Sequence, residues 1–332
     1  MCQRAEGFRK HGTKHFPLPQ PVINCYAPAM RETVTFQLLD YPGSQKSALW
    51  GFKDLLECAN SLAQSSDRLL FQADICQTPQ AYPSVVVLPP ALSLDPPELP
   101  SAWRAQLISQ HKAGSVMASV CSGAFLLAEA GLLDDRRVTT HWRHANTFRQ
   151  KYPKSVIDTD PLLVDIGDIV TAGGVMAWTD LALHMVQRFG SRMLMMDVAR
   201  MFVLDPPDRA QSYYASFIPD TKHSDTQIAG VQALLQNTSG GTHSIASLAQ
   251  SAGMSERSFL RRFKQATGLT PVTYIQSLRV ELARSRLELT RDSFERISWD
   301  VGYADATAFR RVFRRIVGLS PSAYRRRFGP ST

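Results

Sequence analysis

The chain has 332 residues, of which 44% are hydrophobic and 20% charged, and its formal net charge is +8 at pH 7. A chain of this length predicts about two domains, because a single hydrophobic core rarely keeps growing beyond roughly 250–300 residues. The composition excludes collagen-like chains, disulfide-stapled scaffolds and long intrinsic disorder.

The excess positive charge lies in the last third of the chain. Residues 227–332 contain 16 basic and 7 acidic side chains, whereas residues 1–226 contain 21 basic and 22 acidic side chains. Fifteen of those 16 basic residues are arginines, and the other one is Lys264. A basic domain beside a near-neutral one predicts an anionic partner, with nucleic acid favoured over a membrane surface.

The patterns of cysteine, histidine and apolar residues predict no metal, cofactor or membrane segment. The five cysteines all precede residue 122 without a CxxC pair, and His141 and His144 lack a third candidate ligand. Met1–Pro21 carries basic residues without a following apolar stretch, so no secretory signal is predicted. Ala113–Ala128 is interrupted by glycine and serine, which argues against a membrane span. We therefore expect a cytoplasmic protein.

The first two thirds of the chain alternate between strand and helix patterns. Residues 1–30 are predicted to form a flexible extension. Short β-branched runs then predict buried strands: Val34–Leu39, Leu69–Ile75, Val85–Leu88, Val116–Val120 and Ile169–Thr171. The stretches between them predict helices: Ala48–Ala63, Ala102–Lys112, Ala124–Ala130 and Trp178–Phe189. This alternation favours an α/β domain with a parallel sheet between helices, which we place at residues 31–218.

The last third is predicted to be entirely helical, and it contains an internal repeat. The segment Gly268–Tyr274, which begins GLTP, recurs fifty residues later as Gly318–Tyr324, which begins GLSP. Before each of these segments, four more residues match at the same offset of fifty. Phe259, Arg261, Phe263 and Lys264 correspond to Phe309, Arg311, Phe313 and Arg314. We place a linker at residues 219–226 and an all-α domain at residues 227–332.

Each copy of the repeat has the pattern of a helix, a tight turn and a second helix. In the first copy, Gly253 permits the positive φ of a sharp turn, and Ser255 is positioned to cap the second helix. Phe259 and Phe263 lie one turn apart on that helix and anchor it to the core, which leaves a basic face on the opposite side. A helix-turn-helix motif places its second helix in the major groove of DNA.

The duplicated motif resembles the DNA-binding domain of the AraC family of bacterial transcription regulators over residues 227–328. The resemblance implies that six side chains face base edges: Arg257, Leu260, Arg261, Thr307, Arg310 and Arg311. Arginine suits the bidentate acceptors of guanine. Contacts to phosphate are expected from Ser255, Lys264, Thr270, Arg314 and Arg315.

The same resemblance implies double-stranded promoter DNA as a partner and activation through contact with RNA polymerase. A simpler alternative is that the basic helical faces are only solvated, and this alternative also applies to Arg325–Arg327 at the C-terminus. A DNA-architectural protein without a ligand is a third possibility. It would show no thermal shift with any metabolite.

One cysteine lies in a setting that suggests chemistry. Cys121 ends the strand pattern Val116–Val120 and begins a turn of small residues that leads into a helix. A thiol at a helix N-terminus has a lowered pKa because backbone N–H groups and the helix dipole stabilise the thiolate. This is the arrangement of a nucleophile elbow, and His141 is a candidate base for such a nucleophile.

Residues 33–204 resemble the PfpI-like, class I glutamine amidotransferase-like superfamily, and more closely the subgroup fused to AraC-type domains. The resemblance implies a flavodoxin-like α/β sandwich that dimerises. Enzymatic members carry an acid near the start of the first helix, where this chain has Ala48. They also have a Gly-rich turn after the third strand, where this chain has Leu88–Ala91 with two prolines that have no N–H to donate. We therefore expect no enzyme, and a thiol-dependent hydrolase or amidotransferase using Cys121 and His141 is the alternative.

A non-catalytic α/β domain of this kind is expected to bind a small-molecule effector at the carboxyl ends of its parallel strands. The candidate lining residues are Cys121, Ser122, Gly123, His141, Trp142, Gly173 and Gly174, with Trp50 and Trp178 as aromatic walls. Tryptophan faces attract cations, which suggests an amino-acid or betaine-like effector. Packing roles for both tryptophans and for Cys121 are the alternatives.

Overall fold

The computed structural model describes residues 32–63, 69–80, 82–93, 95–207, 210–221, 223–238 and 243–330. The predicted flexible extension, residues 1–30, lies outside these ranges. Within them the chain forms an α/β unit followed by a helical unit.

The α/β unit contains eight strands in the described part of the chain: β1 (Glu32–Leu39), β2 (Leu69–Cys76), β3 (Val85–Leu88), β4 (Val116–Val120), β5 (Arg137–Val138), β6 (Val156–Ile157), β7 (Leu163–Asp165) and β8 (Ile169–Ala172). Six of them form one sheet in the order β2-β1-β3-β4-β8-β7, and β5 pairs with β6 separately. The first five strands of that order run parallel, whereas β7 is antiparallel to β8. The predicted parallel sheet is therefore extended by an antiparallel edge strand.

Helices cover both faces of this sheet, so its central strands are apolar on both sides. The six helices are α1 (Lys46–Leu62), α2 (Trp103–Lys112), α3 (Ala124–Glu129), α4 (Ala145–Lys151), α5 (Trp178–Phe189) and α6 (Arg192–Phe202). One core lies between the sheet and α1, α5 and α6, and a second core lies between the sheet and α2, α3 and α4. All residues of β3 and β4 are buried. These layers form the predicted flavodoxin-like α/β sandwich, and the carboxyl ends of its parallel strands include the ends of β4 and β8.

The helical unit has seven helices in its described residues: α7 (Thr226–Asn237), α8 (Ile245–Ser251), α9 (Glu256–Thr267), α10 (Pro271–Leu289), α11 (Phe294–Asp300), α12 (Ala306–Val317) and α13 (Pro321–Phe328). Two separate cores hold them together. Tyr274 of α10 packs in the first core with α7, α8 and α9, and Val280 and Leu287 of α10 pack in the second core with α11, α12 and α13. The long helix α10 therefore joins the two repeats.

Residues 210–218, which we call the interdomain segment, contact both units. Ala210 forms a β-bridge with Pro161, and Gln211 is 2% exposed within the α/β unit. A few residues later, Phe217 packs against the first core of the helical unit. The predicted linker, residues 219–226, includes Asp225, which caps α7.

Candidate functional site

The first helix-turn-helix motif consists of α8, a four-residue turn and α9. Gly253 in the turn has a φ of +64°, a backbone conformation that costs glycine little. The Ser255 hydroxyl accepts a hydrogen bond from the backbone N–H of Ser258 and so caps α9. Phe259 and Phe263 are fully buried with ring centroids 5.5 Å apart. These contacts fix which face of α9 points to solvent.

The second motif, α11 and α12, repeats this construction. Gly302 in its turn has a φ of +85°. The carboxylate of Asp305 caps α12 by accepting a hydrogen bond from the backbone N–H of Thr307 at 2.7 Å. Phe309 and Phe313 are fully buried in the second core. The two motifs therefore expose equivalent faces of α9 and α12.

All eleven side chains predicted to contact DNA are exposed: Ser255, Arg257, Leu260, Arg261, Lys264, Thr270, Thr307, Arg310, Arg311, Arg314 and Arg315. Five of the basic ones make no side-chain hydrogen bond or ion pair with any described residue: Arg257, Arg261, Lys264, Arg311 and Arg314. Unpaired cationic side chains on an exposed helix face are available to phosphates and base edges.

Two other predicted arginines already have partners within the protein. Arg310 donates a hydrogen bond to Glu295 at 3.1 Å and lies over the ring of Phe294. Arg315 donates a hydrogen bond to Gln276 of α10 at 2.6 Å. A DNA contact by either side chain requires this partner to be shared or released.

Of the side-chain caps in the helical unit, the sequence predicted Ser255 and missed several others, among them Ser320. The Ser320 hydroxyl caps α13, as the Thr270 hydroxyl caps α10. Of these two residues, only Thr270 was predicted to contact phosphate, although the fifty-residue offset of the repeat pairs the two positions.

In the α/β unit, Cys121 lies between β4 and α3 with a φ of +55°. This is an uncommon conformation for a non-glycine residue. The hydroxyl of Thr140 donates to the Cys121 carbonyl oxygen at 2.8 Å. Burial raises the pKa of the Cys121 thiol to about 11, although hydrogen bonds from Ser122 favour the thiolate. The helix N-terminus therefore does not produce the lowered pKa expected from sequence.

The groups beside Cys121 are largely engaged in internal hydrogen bonds. The Ser122 hydroxyl accepts from the backbone N–H of Ala91 at 2.9 Å. The backbone N–H of Ala91, in the turn where enzymatic members bind the oxyanion, therefore already has a hydrogen-bond partner. Gly123 is required by close packing, because a Cβ there would lie 2.4 Å from the Leu88 carbonyl oxygen. Ala48, which the sequence resemblance places at the position of the acid, is buried.

His141 is held as a neutral imidazole. Its Nδ1 accepts a hydrogen bond from the backbone N–H of Arg143 at 3.1 Å. Burial lowers the pKa of His141 to about 4, and the nearby positive charges of His144 and Arg143 act in the same direction. Because Nδ1 is the acceptor, the proton lies on Nε2, which donates to no described residue.

A cavity of about 320 Å³ lies beside His141. It is lined by His141, Trp142, Leu162, Gly174, Val175, Met176, Ala177, Gln211 and Tyr214. Three of the predicted pocket residues, His141, Trp142 and Gly174, are in this lining. The interdomain residues Gln211 and Tyr214 were not predicted, and no periodic or motif signal in the sequence pointed to them.

The other predicted pocket residues lie outside this lining. Cys121, Ser122 and Gly123 are buried, and Gly173 lies against the side chain of Gln211. Trp50 is 58% exposed on α1. Trp178 packs over Gly51, where an added Cβ would lie 2.4 Å from the indole ring. The expectation of a cationic effector was based on these two tryptophans as walls.

In the described ranges, no helix is long and apolar enough to cross a membrane. The same residues include no group of three or more histidine, cysteine or acidic side chains arranged to hold a metal ion.

Comparisons with known proteins identify both units. Residues 248–327 match the helix-turn-helix domain family, and residues 72–188 match the DJ-1/PfpI family. The HTH-type transcriptional regulator Rv1931c of Mycobacterium tuberculosis is 32% identical over 216 residues, which cover 63% of this chain and 82% of that protein. The HTH-type transcriptional regulator CdhR of Pseudomonas aeruginosa is 28% identical over 211 residues, which cover 63% of this chain and 62% of that protein. The crystal structure of the DNA-binding domain of AdpA in complex with a target DNA shows 33% identity, covers 31% of this chain and 92% of that chain, and has a TM-score of 0.30.

The two units define a helix-turn-helix regulator joined to an α/β domain. The chain belongs to the AraC family of HTH-type transcriptional regulators that carry a DJ-1/PfpI domain. The match spans less than two thirds of the length of CdhR. The resemblances noted from the sequence are confirmed.

Proposed function

We propose that the protein binds double-stranded promoter DNA sequence-specifically through α9 and α12 and regulates transcription in response to a small molecule. The observation that carries this proposal is the pair of exposed basic faces, each fixed by two buried phenylalanines. Two such helices on one unit suit successive major grooves, whose spacing is about 34 Å. Base contacts are assigned to Arg257, Leu260, Arg261, Thr307, Arg310 and Arg311, and phosphate contacts to Ser255, Lys264, Thr270, Arg314 and Arg315.

The assignment of base and phosphate contacts is testable with duplexes selected from a random pool by the full chain. Lys264→Ala is expected to weaken binding to selected and scrambled duplexes by similar factors and to reduce the salt slope by about 1. Arg261→Ala is expected to weaken binding to the selected duplex more than to the scrambled one. Equal losses on both duplexes for Arg261→Ala would remove it from the base contacts.

The effector is proposed to bind in the cavity beside His141, as a non-catalytic ligand. Support comes from the largely apolar lining and from a histidine Nε2–H without a partner in the described structure. Pockets of this size with few polar groups are typical of small-molecule sites. The regulated genes are proposed to be activated through contact with RNA polymerase, in keeping with the family.

A homodimer in the cytoplasm is part of the same proposal. Its support is an exposed apolar group at the end of α6 that includes Met201, Phe202 and Val203, which is 91% exposed. Exposed apolar groups that lie together often mark contact surfaces between chains. Dimers would place two DNA-binding units on neighbouring sites and raise their effective local concentration.

The alternative of a thiol enzyme has one favourable observation, the positive φ of Cys121 at a strand-to-helix turn. Against it, a thiol whose pKa is about 11 is almost entirely protonated near pH 7, and thiols react as thiolates. Turnover of an ester, amide or glycated substrate by the full chain, lost in Cys121→Ala, would establish the enzyme instead.

A further inference from the structure

We propose that the cavity beside His141 binds an uncharged, largely apolar molecule with one hydrogen-bond acceptor, and that the interdomain segment transmits its binding to the second helix-turn-helix motif. This inference rests on the proposed function. It goes further by naming the class of ligand and the contacts that carry the signal.

The lining of the cavity determines the class of ligand. None of its side chains carries a formal charge, because His141 is neutral near pH 7 and the other residues are apolar, aromatic or amide. A charged ligand group would therefore lose its hydration without gaining an ionic partner. The Nε2–H of His141 and the indole N–H of Trp142 have no hydrogen-bond partner among the described residues, and both are donors.

The Gln211 amide, a further polar group of the lining, is already used internally. Its Nε2 donates to Thr139 Oγ1 at 2.9 Å and to the Thr140 carbonyl oxygen at 3.1 Å. Its Oε1 accepts from the backbone N–H of Trp142 at 3.2 Å. Gln211 therefore forms a fixed wall of the cavity, and its position depends on the loop that also holds His141.

The residues that follow Gln211 are held by the helical unit. The buried guanidinium of Arg284 in α10 donates hydrogen bonds to the carbonyl oxygens of Tyr213 and Ala215. Arg327 of α13 donates to the Tyr214 hydroxyl at 2.8 Å, and its guanidinium lies over the Tyr214 ring. Tyr214 also lines the cavity. One short segment thus contacts a bound ligand on one side and α10 and α13 on the other.

The contact with the second repeat is close. A Cβ on Gly318, which ends α12, would lie 2.9 Å from both the Ser212 hydroxyl and the Tyr213 ring. A displacement of Tyr213 or Tyr214 by ligand would therefore change the packing at the ends of α12 and α13. The first motif lacks an equivalent contact at Gly268, where the described atoms leave open space around an added Cβ.

The ligand class is tested by isothermal titration of the full chain with four small probes: acetophenone, toluene, benzoate and glycine betaine. Acetophenone is uncharged and has one acceptor, so we expect it to bind best. Toluene lacks the acceptor and is expected to bind about 3- to 10-fold more weakly. Benzoate is expected to bind at least about tenfold more weakly because its carboxylate would be buried without a cation. Tighter binding of benzoate or betaine than of acetophenone would overturn the assignment of ligand class.

The location of the site is tested by filling the cavity. Met176 lines it and is 56% exposed, so Met176→Trp should fill the cavity and abolish acetophenone binding without disturbing the core. Met193→Trp is the matched control, since Met193 is 62% exposed on α6 and is not part of the lining. Equal acetophenone affinity in wild type and Met176→Trp would overturn the location.

The coupling is tested by hydrogen exchange of the full chain with and without saturating acetophenone. We expect acetophenone to change exchange rates at least about twofold in residues 210–218 and in α13. In Arg327→Ala the change in α13 should disappear while acetophenone still binds, and in the neighbouring exposed control Arg326→Ala it should remain. A change confined to residues 32–207 in the wild type would overturn the coupling. DNA affinity and its dependence on Arg261 would be unaffected by that outcome, so the proposed function would stand.

Discussion

The seating of Gln211 against Gly173 predicts a large, non-additive effect of two substitutions. An alanine Cβ at position 173 would lie 2.0 Å from the amide carbon and nitrogen of Gln211, so that amide must leave. Its hydrogen bonds to Thr139, Thr140 and Trp142 would then be lost. At about 0.5–1.5 kcal/mol each, we expect Gly173→Ala to lower the free energy of unfolding by about 2–4 kcal/mol.

Gln211→Ala removes the same hydrogen bonds and is expected to cost about 2–4 kcal/mol. The amide that clashes with an alanine at position 173 is then absent, so the double variant should cost little more than either single one. The expected coupling energy is therefore about 2 kcal/mol or more.

Tryptophan fluorescence during guanidinium unfolding measures this cycle, because four of the five tryptophans lie between residues 50 and 178. Gly230→Ala in α7 is the control, since an added Cβ there meets no neighbouring atom. It should leave the unfolding transition of the α/β unit unchanged. If the cost of the double variant equals the sum of the two single costs to within about 0.5 kcal/mol, the Gln211 amide does not pack against Gly173.

Two further predictions concern ionisation. Arg262 donates two hydrogen bonds to Asp225 at 2.8 Å and holds the pKa of that carboxyl below its ordinary value of 3.8. A lowered pKa in the folded state gives stability that is present above about pH 4 and is lost as the pH falls through the folded-state pKa. Asp225→Asn keeps a capping side chain but removes the charge. The difference in melting temperature between wild type and this variant should therefore shrink below about pH 4. A constant difference down to about pH 3 would contradict this. For Cys121, the buried thiol with a pKa of about 11 should react with iodoacetamide at pH 7.5 at least about 100-fold more slowly in the native chain than in guanidinium, as followed by peptide mass spectrometry. Comparable rates in the two states would show that the native thiolate is accessible.

The strong local patterns of the sequence were sufficient to predict most of the α/β unit. Its five predicted strands and four predicted helices are observed within two residues of their predicted ends. Runs of buried β-branched residues such as Val85–Leu88 allow few other structures. The edge strand β7 was missed because three residues carry no measurable period, and its pairing with β8 depends on tertiary contacts.

The candidate sites differ in how far sequence could predict them. The fifty-residue repeat was sufficient to place the exposed faces of α9 and α12, because buried phenylalanines one turn apart fix the opposite face. The cavity lining was predicted only in part. Gln211 and Tyr214 reach it through contacts between residues about 50 to 70 positions apart, such as the bond from Gln211 to Pro161. The position of Trp178 over Gly51 likewise depends on how α5 packs against α1.

The most direct measurement of DNA recognition is the affinity of the full chain for duplexes that it selects from a random pool. We expect two recognised half-sites about 10–10.5 base pairs apart, centre to centre. Arg261→Ala combined with Arg311→Ala should reduce affinity for the selected duplex by about 2–6 kcal/mol, or roughly 30- to 20,000-fold. The charge-matched control, Arg104→Ala combined with Arg192→Ala, removes two exposed arginines from the α/β unit and should change that affinity little. Unchanged affinity in the Arg261 and Arg311 double variant would contradict recognition of DNA by α9 and α12.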